Sequence, residues 1–163
     1  MVHKKFPLPV FAFLPWVTFW SQGGSKLPDY AHLRIGIATD VSCKQIQKSF
    51  NATMVRTTES RSKGLGGRST PLKKDESMLF LFDQAETVSF WMKDTLIPLE
   101  LALFDDSGKL SELFEMPVEA DPKDPKYRYT ATHPAVVGLE LAPKSLEALA
   151  HKTLTLCAST TGK

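Results

Sequence analysis

The chain has 163 residues, 42% of them apolar and 23% charged, with 20 basic and 18 acidic side chains. That length and balance fit one ordinary globular domain and exclude a disordered or collagen-like chain. Such a small net charge also gives no reason to expect nucleic acid as a partner, because bulk binding to it rests on neutralising phosphates.

The first elements belong to export rather than to a core. Lys4 and Lys5 precede an apolar run from Phe6 to Trp20, and Ser21-Gln22-Gly23 supplies small residues where a signal peptidase reads. The run falls short of the roughly 20 residues that a span needs. Pro7, Pro9 and Pro15 also oppose a stable membrane helix. Residues 1–23 therefore read as a signal peptide, with an interfacial anchor as the other reading. After cleavage no stable membrane span is expected, and the product is periplasmic or extracellular. Residues 1–23 hold two lysines and no acid, so the remainder carries 18 charges of each sign. Residues 24–42 read as a linker with partial order around Leu33 to Ile37, and the domain runs from 43 to 160.

Within that domain, Cys43 and Cys157 are the only cysteines. In an exported protein they form a disulfide candidate; otherwise they are two unpaired thiols. Phe50 to Val55 reads as a strand. Thr57 or Thr58 then caps a short helix, which ends in Lys63-Gly64-Leu65-Gly66-Gly67-Arg68, where glycines allow a sharp turn. Met78 to Phe82 is a continuous apolar run and reads as a strand buried on both faces. Val88 to Lys93 alternates, with Val88, Phe90 and Met92 on one face and Ser89, Trp91 and Lys93 on the other. Leu99, Leu101 and Leu103 come at every second position and predict a strand with one face in the core. Asp105-Asp106-Ser107-Gly108 has turn chemistry and returns the chain as a hairpin.

Past the hairpin, Pro117 to Pro125 is an acidic, proline-rich loop and Tyr127 to Tyr129 a short edge strand. Ala135 to Leu141 reads as another strand and Pro143 to Leu149 as a second short helix. Lys152 to Cys157 is the last strand. The fold class is α+β: a mostly antiparallel sheet curling into an open barrel, with two short helices.

Charge is unevenly spread. Arg56 to Lys74 holds six basic residues against Glu59 alone, and Glu112 to Lys126 holds five acids against two lysines. The first run can meet an anionic ligand, or it is a solvated face docked by the second. His3, His32, His133 and His151 are scattered and show no metal-ligand spacing, so neither metal nor cofactor is expected. No nucleophile-elbow, zinc-protease or dinucleotide pattern occurs, and no catalytic residue is assigned.

Three stretches together resemble a known family. Lys63-Gly64-Leu65-Gly66-Gly67-Arg68 is similar to its G-L-x-x-R turn, and Ser77 to Phe82 to its G-M-L-F-x-F strand. Phe90-Trp91-Met92-Lys93-Asp94-Thr95-Leu96-Ile97-Pro98-Leu99-Glu100 resembles its F-W-M-K-N-T-x-I-P-L-D signature. The family is DUF192, and the resemblance covers roughly Phe50 to Cys157. It implies a compact α/β domain, often exported, with no established activity. It also implies that Arg68, Trp91, Lys93, Asp94 and Thr95 share one binding surface. Departures are Asp94 for the usual Asn, Glu100 for Asp, the Gly66-Gly67 pair, a missing cysteine pair near Pro122 to Tyr127, and Ala150-His151-Lys152 in place of Gly-Asp.

Three functions follow as expectations. The first is an exported accessory domain, a monomer, binding a sugar-like or anionic small molecule or envelope ligand on Trp91 with Lys93 and Arg68. The second is a hydrolase or lyase acting on envelope polysaccharide with Asp94 and Glu100 as its acids. The third is a structural module with Trp91 as an interface anchor.

Overall fold

A computed structural model describes residues 13–21 and 26–159, with the side chain of Ser21 left aside. The proposed cleavage region at Gln22-Gly23 lies outside the described residues, as do Lys4 and Lys5.

Among the described residues ten strands and two α-helices follow one another. They are β1 (Phe13–Pro15), α1 (Trp16–Ser21), β2 (His32–Ala38), β3 (Ile46–Val55), α2 (Thr58–Lys63), β4 (Glu76–Glu86), β5 (Ser89–Phe90), β6 (Leu99–Phe104), β7 (Leu110–Met116), β8 (Tyr129–Thr130), β9 (Ala135–Leu141) and β10 (Thr155–Ser159). Eight strands form one sheet in the order β1-β10-β2-β3-β4-β9-β6-β7, and β5 pairs with β8 separately. Every pair is antiparallel except β3 with β4. A parallel pair cannot be closed by a hairpin. The chain between β3 and β4 therefore crosses over one face of the sheet and lays α2 and the glycine-rich turn there.

Two apolar layers fill the two sides of this sheet. The larger gathers Ile35, Ile37, Phe50, Met54, Leu79, Leu81, Phe104, Leu139, Leu141, Leu156 and Trp16. The other gathers Val55, Leu65, Phe80, Phe90, Met92, Ile97, Leu99, Leu101 and Leu103 beneath α2 and β5. Leu79 and Leu81 sit in one layer and Phe80 in the other, so the Met78–Phe82 run is central, as its unbroken hydrophobicity implies.

Several expectations change. The sheet does not close into a barrel. One end, at the start of β7, meets β10, the strand beside the other end, at one bridge, Lys109 with Thr155, flanked by bonds from the amides of Leu110 to Leu154 O (2.8 Å) and Leu156 to Gly108 O (2.7 Å). The stretch read as a linker contains β2, seated between β10 and β3 with Ile35 and Ile37 fully buried. β6 is buried at all six positions instead of on one face, because β9 and β7 flank it and an apolar layer lies on each side. The second helix shrinks to a 3-10 turn at Glu147–Leu149. Lys144 adopts a left-handed φ of 59°, which stops a helix starting at Pro143. Leu146 N–H is also held by Glu100 Oε1 at 2.8 Å.

Helix α2 starts as its residues dictate. Thr57 is the N-cap: its hydroxyl accepts from Ser60 N–H, and Ser60 Oγ in turn accepts from Thr57 N–H. Cys43 and Cys157 are joined, with Cα atoms 6.0 Å apart, tying the loop before β3 to β10. At the other end of the chain order, β1 pairs with β10, and Trp16 packs against Gly108 with 2% exposure. No helix among the described residues is long and apolar enough to cross a membrane.

Candidate functional site

The side chains that converge do so because of β5 and its partner. Phe90 pairs with Tyr129 and Ser89 with Thr130, whose hydroxyls meet at 2.8 Å. One residue further along this register, Trp91 faces Arg128. The guanidinium lies 4.6 Å from the indole centroid, and Lys93 Nζ lies 5.4 Å from it. An indole flanked by two cations is a stacking arrangement with a charged edge. Trp91 stays 40% exposed.

Phe90 anchors this strand on the sheet. Its ring sits over Gly138, where a Cβ would meet the ring at 2.4 Å, and edge-on to Phe80 with centroids 5.0 Å apart. Gly138 thus permits the close approach that holds Trp91 above β9. Ser89–Phe90 is all that remains of the expected six-residue strand, yet the alternation persists. Val88, Phe90 and Met92 are buried, while Ser89, Trp91 and Lys93 face outward.

A second turn supports Lys93. Asp94 takes a left-handed φ of 55°, its N–H donates to Pro122 O at 2.7 Å, and its carbonyl accepts from Gly67 N–H at 2.8 Å. Gly67 is itself at φ 81°, and a Cβ on Gly66 would lie 2.9 Å from Lys63 O and 3.7 Å from Asp94 Cβ. The glycine pair therefore lets the end of α2 dock beside the Asp94 turn. Thr95 is buried and donates to Lys93 O at 3.2 Å, closing that turn.

Trp91 and Lys93 stand on the wall between two concavities. The smaller, about 230 Å³, runs under α2 and is lined by Lys63, Phe80, Phe90, Thr95 and Glu140 among others. The wider, about 700 Å³, runs along Gly66, Gly67, Asp94, Leu96, Asp121 and Lys123. Among the described residues, none before Thr58 lines either one.

Of the expected surface residues, the fold brings Trp91, Lys93 and Asp94 together, with Thr95 beneath them. Arg68 is elsewhere. Its Nη1 and Nη2 donate to both oxygens of Glu76 at 2.6 and 2.8 Å, and its Nε donates to Thr70 O at 2.7 Å. Bonding to that guanidinium holds the Glu76 carboxyl below its ordinary range. Arg68 lines neither concavity, and Arg128 supplies the guanidinium at Trp91 instead.

The carboxylates are also rearranged. Glu100 faces the large apolar layer, accepting from Leu146 N–H, whereas Asp94 lines the wide concavity. Neither of these two concavities holds both, so the acid pair of the hydrolytic reading is split there. Burial raises the Glu100 carboxyl, against the opposing effects of the Leu146 amide and the Lys48 charge.

Two residues of the site escaped sequence reasoning. Arg128 is placed by the pairing of β5 with β8, 37 positions along the chain from Trp91, which no local pattern encodes. Glu140 was readable as an oddity: an acid at an inward position of the apolar strand Ala135–Leu141. It lies opposite Met78 and Leu101, its Oε2 has no partner, and burial lifts its pKa to about 8.

Comparisons with known proteins fit this architecture. No curated protein matches the chain. A crystal structure from Sinorhizobium meliloti 1021, provisionally described as a transcription regulator, is 22% identical and has a TM-score of 0.68. The match covers 81% of this chain and 97% of that one. A protein of unknown function from Novosphingobium aromaticivorans DSM 12444 is 23% identical with a TM-score of 0.64, over 77% of this chain and 84% of that one. At these identities both are alike in fold. The DUF192 family model, described as an uncharacterized ACR, matches residues 40–153, the span that holds both concavities and every residue around Trp91. The chain belongs to the DUF192 family.

Proposed function

We propose that this is an exported accessory domain that binds a sugar-like ligand bearing negative charge on the Trp91 surface. The observation that carries the reading is a 40% exposed indole with the Lys93 ammonium and the Arg128 guanidinium close over its ring, on the border of two concavities. The part of the aromatic surface left open, with two cations at the ring, suits a sugar bearing a carboxylate or sulfate. The pattern of residues 1–23 and the Cys43–Cys157 bridge support an oxidising, exported location. Among the described residues of that leader, 13–21, none lines either concavity.

The test is calorimetric titration with trigalacturonate, against cellotriose as the uncharged control. Trp91→Ala is expected to weaken trigalacturonate at least tenfold, about 1.4 kcal/mol, and cellotriose binds more weakly than trigalacturonate to the parent chain. Unchanged affinity in Trp91→Ala contradicts the proposal. Edman sequencing of the protein recovered from a secreting host checks the leader: the proposal expects a mature start at or near Gly24.

A further inference from the structure

Glu140 is the group for which the fold offers no use. It sits on β9, flanked across the sheet by the apolar side chains of Met78 and Leu101. One of its oxygens is buried without a hydrogen-bond partner, an arrangement that costs free energy unless something compensates it. The same side chain lines the smaller concavity, whose mouth is edged by Lys63 and Lys93. No ion pair involves either lysine among the described residues. The third cation there, Arg61, is engaged elsewhere: it donates to Leu81 O at 3.0 Å and covers the Phe82 ring at 4.9 Å. The groups facing Glu140 are thus Arg61 and Lys63 from α2 and Lys93 from the turn after β5, with apolar neighbours on β4 and β6.

This combination is selective. Cations at the mouth disfavour an ammonium ligand, and a cavity of about 230 Å³ admits only a small group. A carboxyl in an apolar floor with no cation against it is held neutral, and a neutral carboxyl has one O–H to give. Resting on the ligand-binding reading of the Trp91 surface, we infer that the smaller concavity is an oxyanion subsite, in which Glu140 donates a hydrogen bond to a ligand carboxylate or phosphate oxygen while Lys63 and Lys93 balance its charge. The shared chemistry is a small oxyanion; its source is a uronic acid or a phosphate group.

Two probes separate those sources: D-galacturonate and inorganic phosphate, each titrated into the full chain by NMR. Galacturonate stays ionised throughout the range, so it also serves the pH series. Because the donor must carry its proton, affinity falls as pH rises past the midpoint of Glu140, by up to tenfold per unit. Between pH 6 and 9 the parent chain shows that fall, and the Glu140 carboxyl signal titrates at higher pH when galacturonate is present. Glu140→Gln keeps a donor, so it binds within about threefold of the parent at pH 6 and loses the pH dependence. Lys93→Gln weakens binding evenly at every pH. Flat affinity in the parent, or a Glu140→Gln chain with the parent's pH slope, overturns the inference; the native-like spectrum of each variant is recorded alongside. If trigalacturonate perturbs Trp91 while neither small probe reaches Glu140, this inference fails and the Trp91 reading stands. If nothing perturbs Trp91, both fail.

Discussion

Asp94 shows how one residue serves the backbone and the site together. Its φ of 55° belongs to the left-handed region, where Asn is tolerated better than Asp. Asp94→Asn is therefore expected to leave stability unchanged or raise it by a few tenths of a kcal/mol, with ligand binding intact. Thermal unfolding of the two chains decides, and a loss of more than about 1 kcal/mol contradicts that account of the turn. Glu140 acts on stability through protons. Its folded pKa of about 8 lies above its ordinary 4.5, so the native state binds more protons than the unfolded one between those values. The stability of the neutral form is complete at low pH and is lost as pH rises through about 8. Its share is about 1.4 kcal/mol per pH unit within the window. Glu100, also raised by burial, has the same sign, whereas Glu76, lowered by Arg68, acts oppositely and only toward acid. Urea unfolding at pH 5, 6, 7 and 8 is expected to show stability falling in the parent and a shallower fall in Glu140→Gln. Parallel slopes refute it.

Between elements, the decisive contacts are Phe90 on Gly138 and Gly67 on Asp94. Adding a methyl group at Gly138 forces the Phe90 ring away and carries β5 with it. Gly138→Ala should cost about 1–3 kcal/mol, and it should disturb the environment of Trp91 although residue 138 does not touch the indole. Arg68→Lys, by contrast, loses a two-pronged bond to Glu76 at a half-exposed position, worth about 1 kcal/mol, and leaves Trp91 unaffected. These two variants separate the contacts that build the site from those that only brace the chain. They also mark what was legible. Period-two alternation placed Trp91 and Lys93 on one outward face even though β5 is only two residues long, because burial of Phe90 and Met92 imposes the alternation without a ladder. Spacing could not show that Arg68 spends its guanidinium on Glu76, eight residues away, or that Arg128 replaces it. Side-chain partners across a sheet are set by register, and register is set by strands far apart in sequence.

At the scale of the whole molecule, strand types were readable and closure was not. Unbroken hydrophobicity marks β4 as central, but nothing local distinguishes a barrel from an eight-stranded sheet in which one bridge links the start of β7 to β10. The glycine, serine and proline before β2 hide how far order extends there: the sequence suggests only partial order around Leu33 to Ile37, where the fold has a full strand. The bridge between Cys43 and Cys157 closes 114 residues, so it constrains the unfolded chain strongly. Replacing both cysteines by alanine is expected to lower stability by about 3–4 kcal/mol, somewhat below the chain-entropy limit. Equilibrium unfolding checks this value, and a loss under about 1 kcal/mol would mean that the bridge contributes little.

The account depends on Trp91, Lys93 and Arg128 acting as one face toward a ligand. The direct measurement is a two-dimensional NMR titration of the labelled chain with trigalacturonate. The account predicts that the Trp91 indole signal and the backbone signals of Lys93 and Arg128 move together and saturate at one dissociation constant, while the backbone signals of the core residues Ile35 and Leu79 stay still. Saturable movement of Ile35 or Leu79 with a stationary Trp91, or no saturable movement at all, contradicts it.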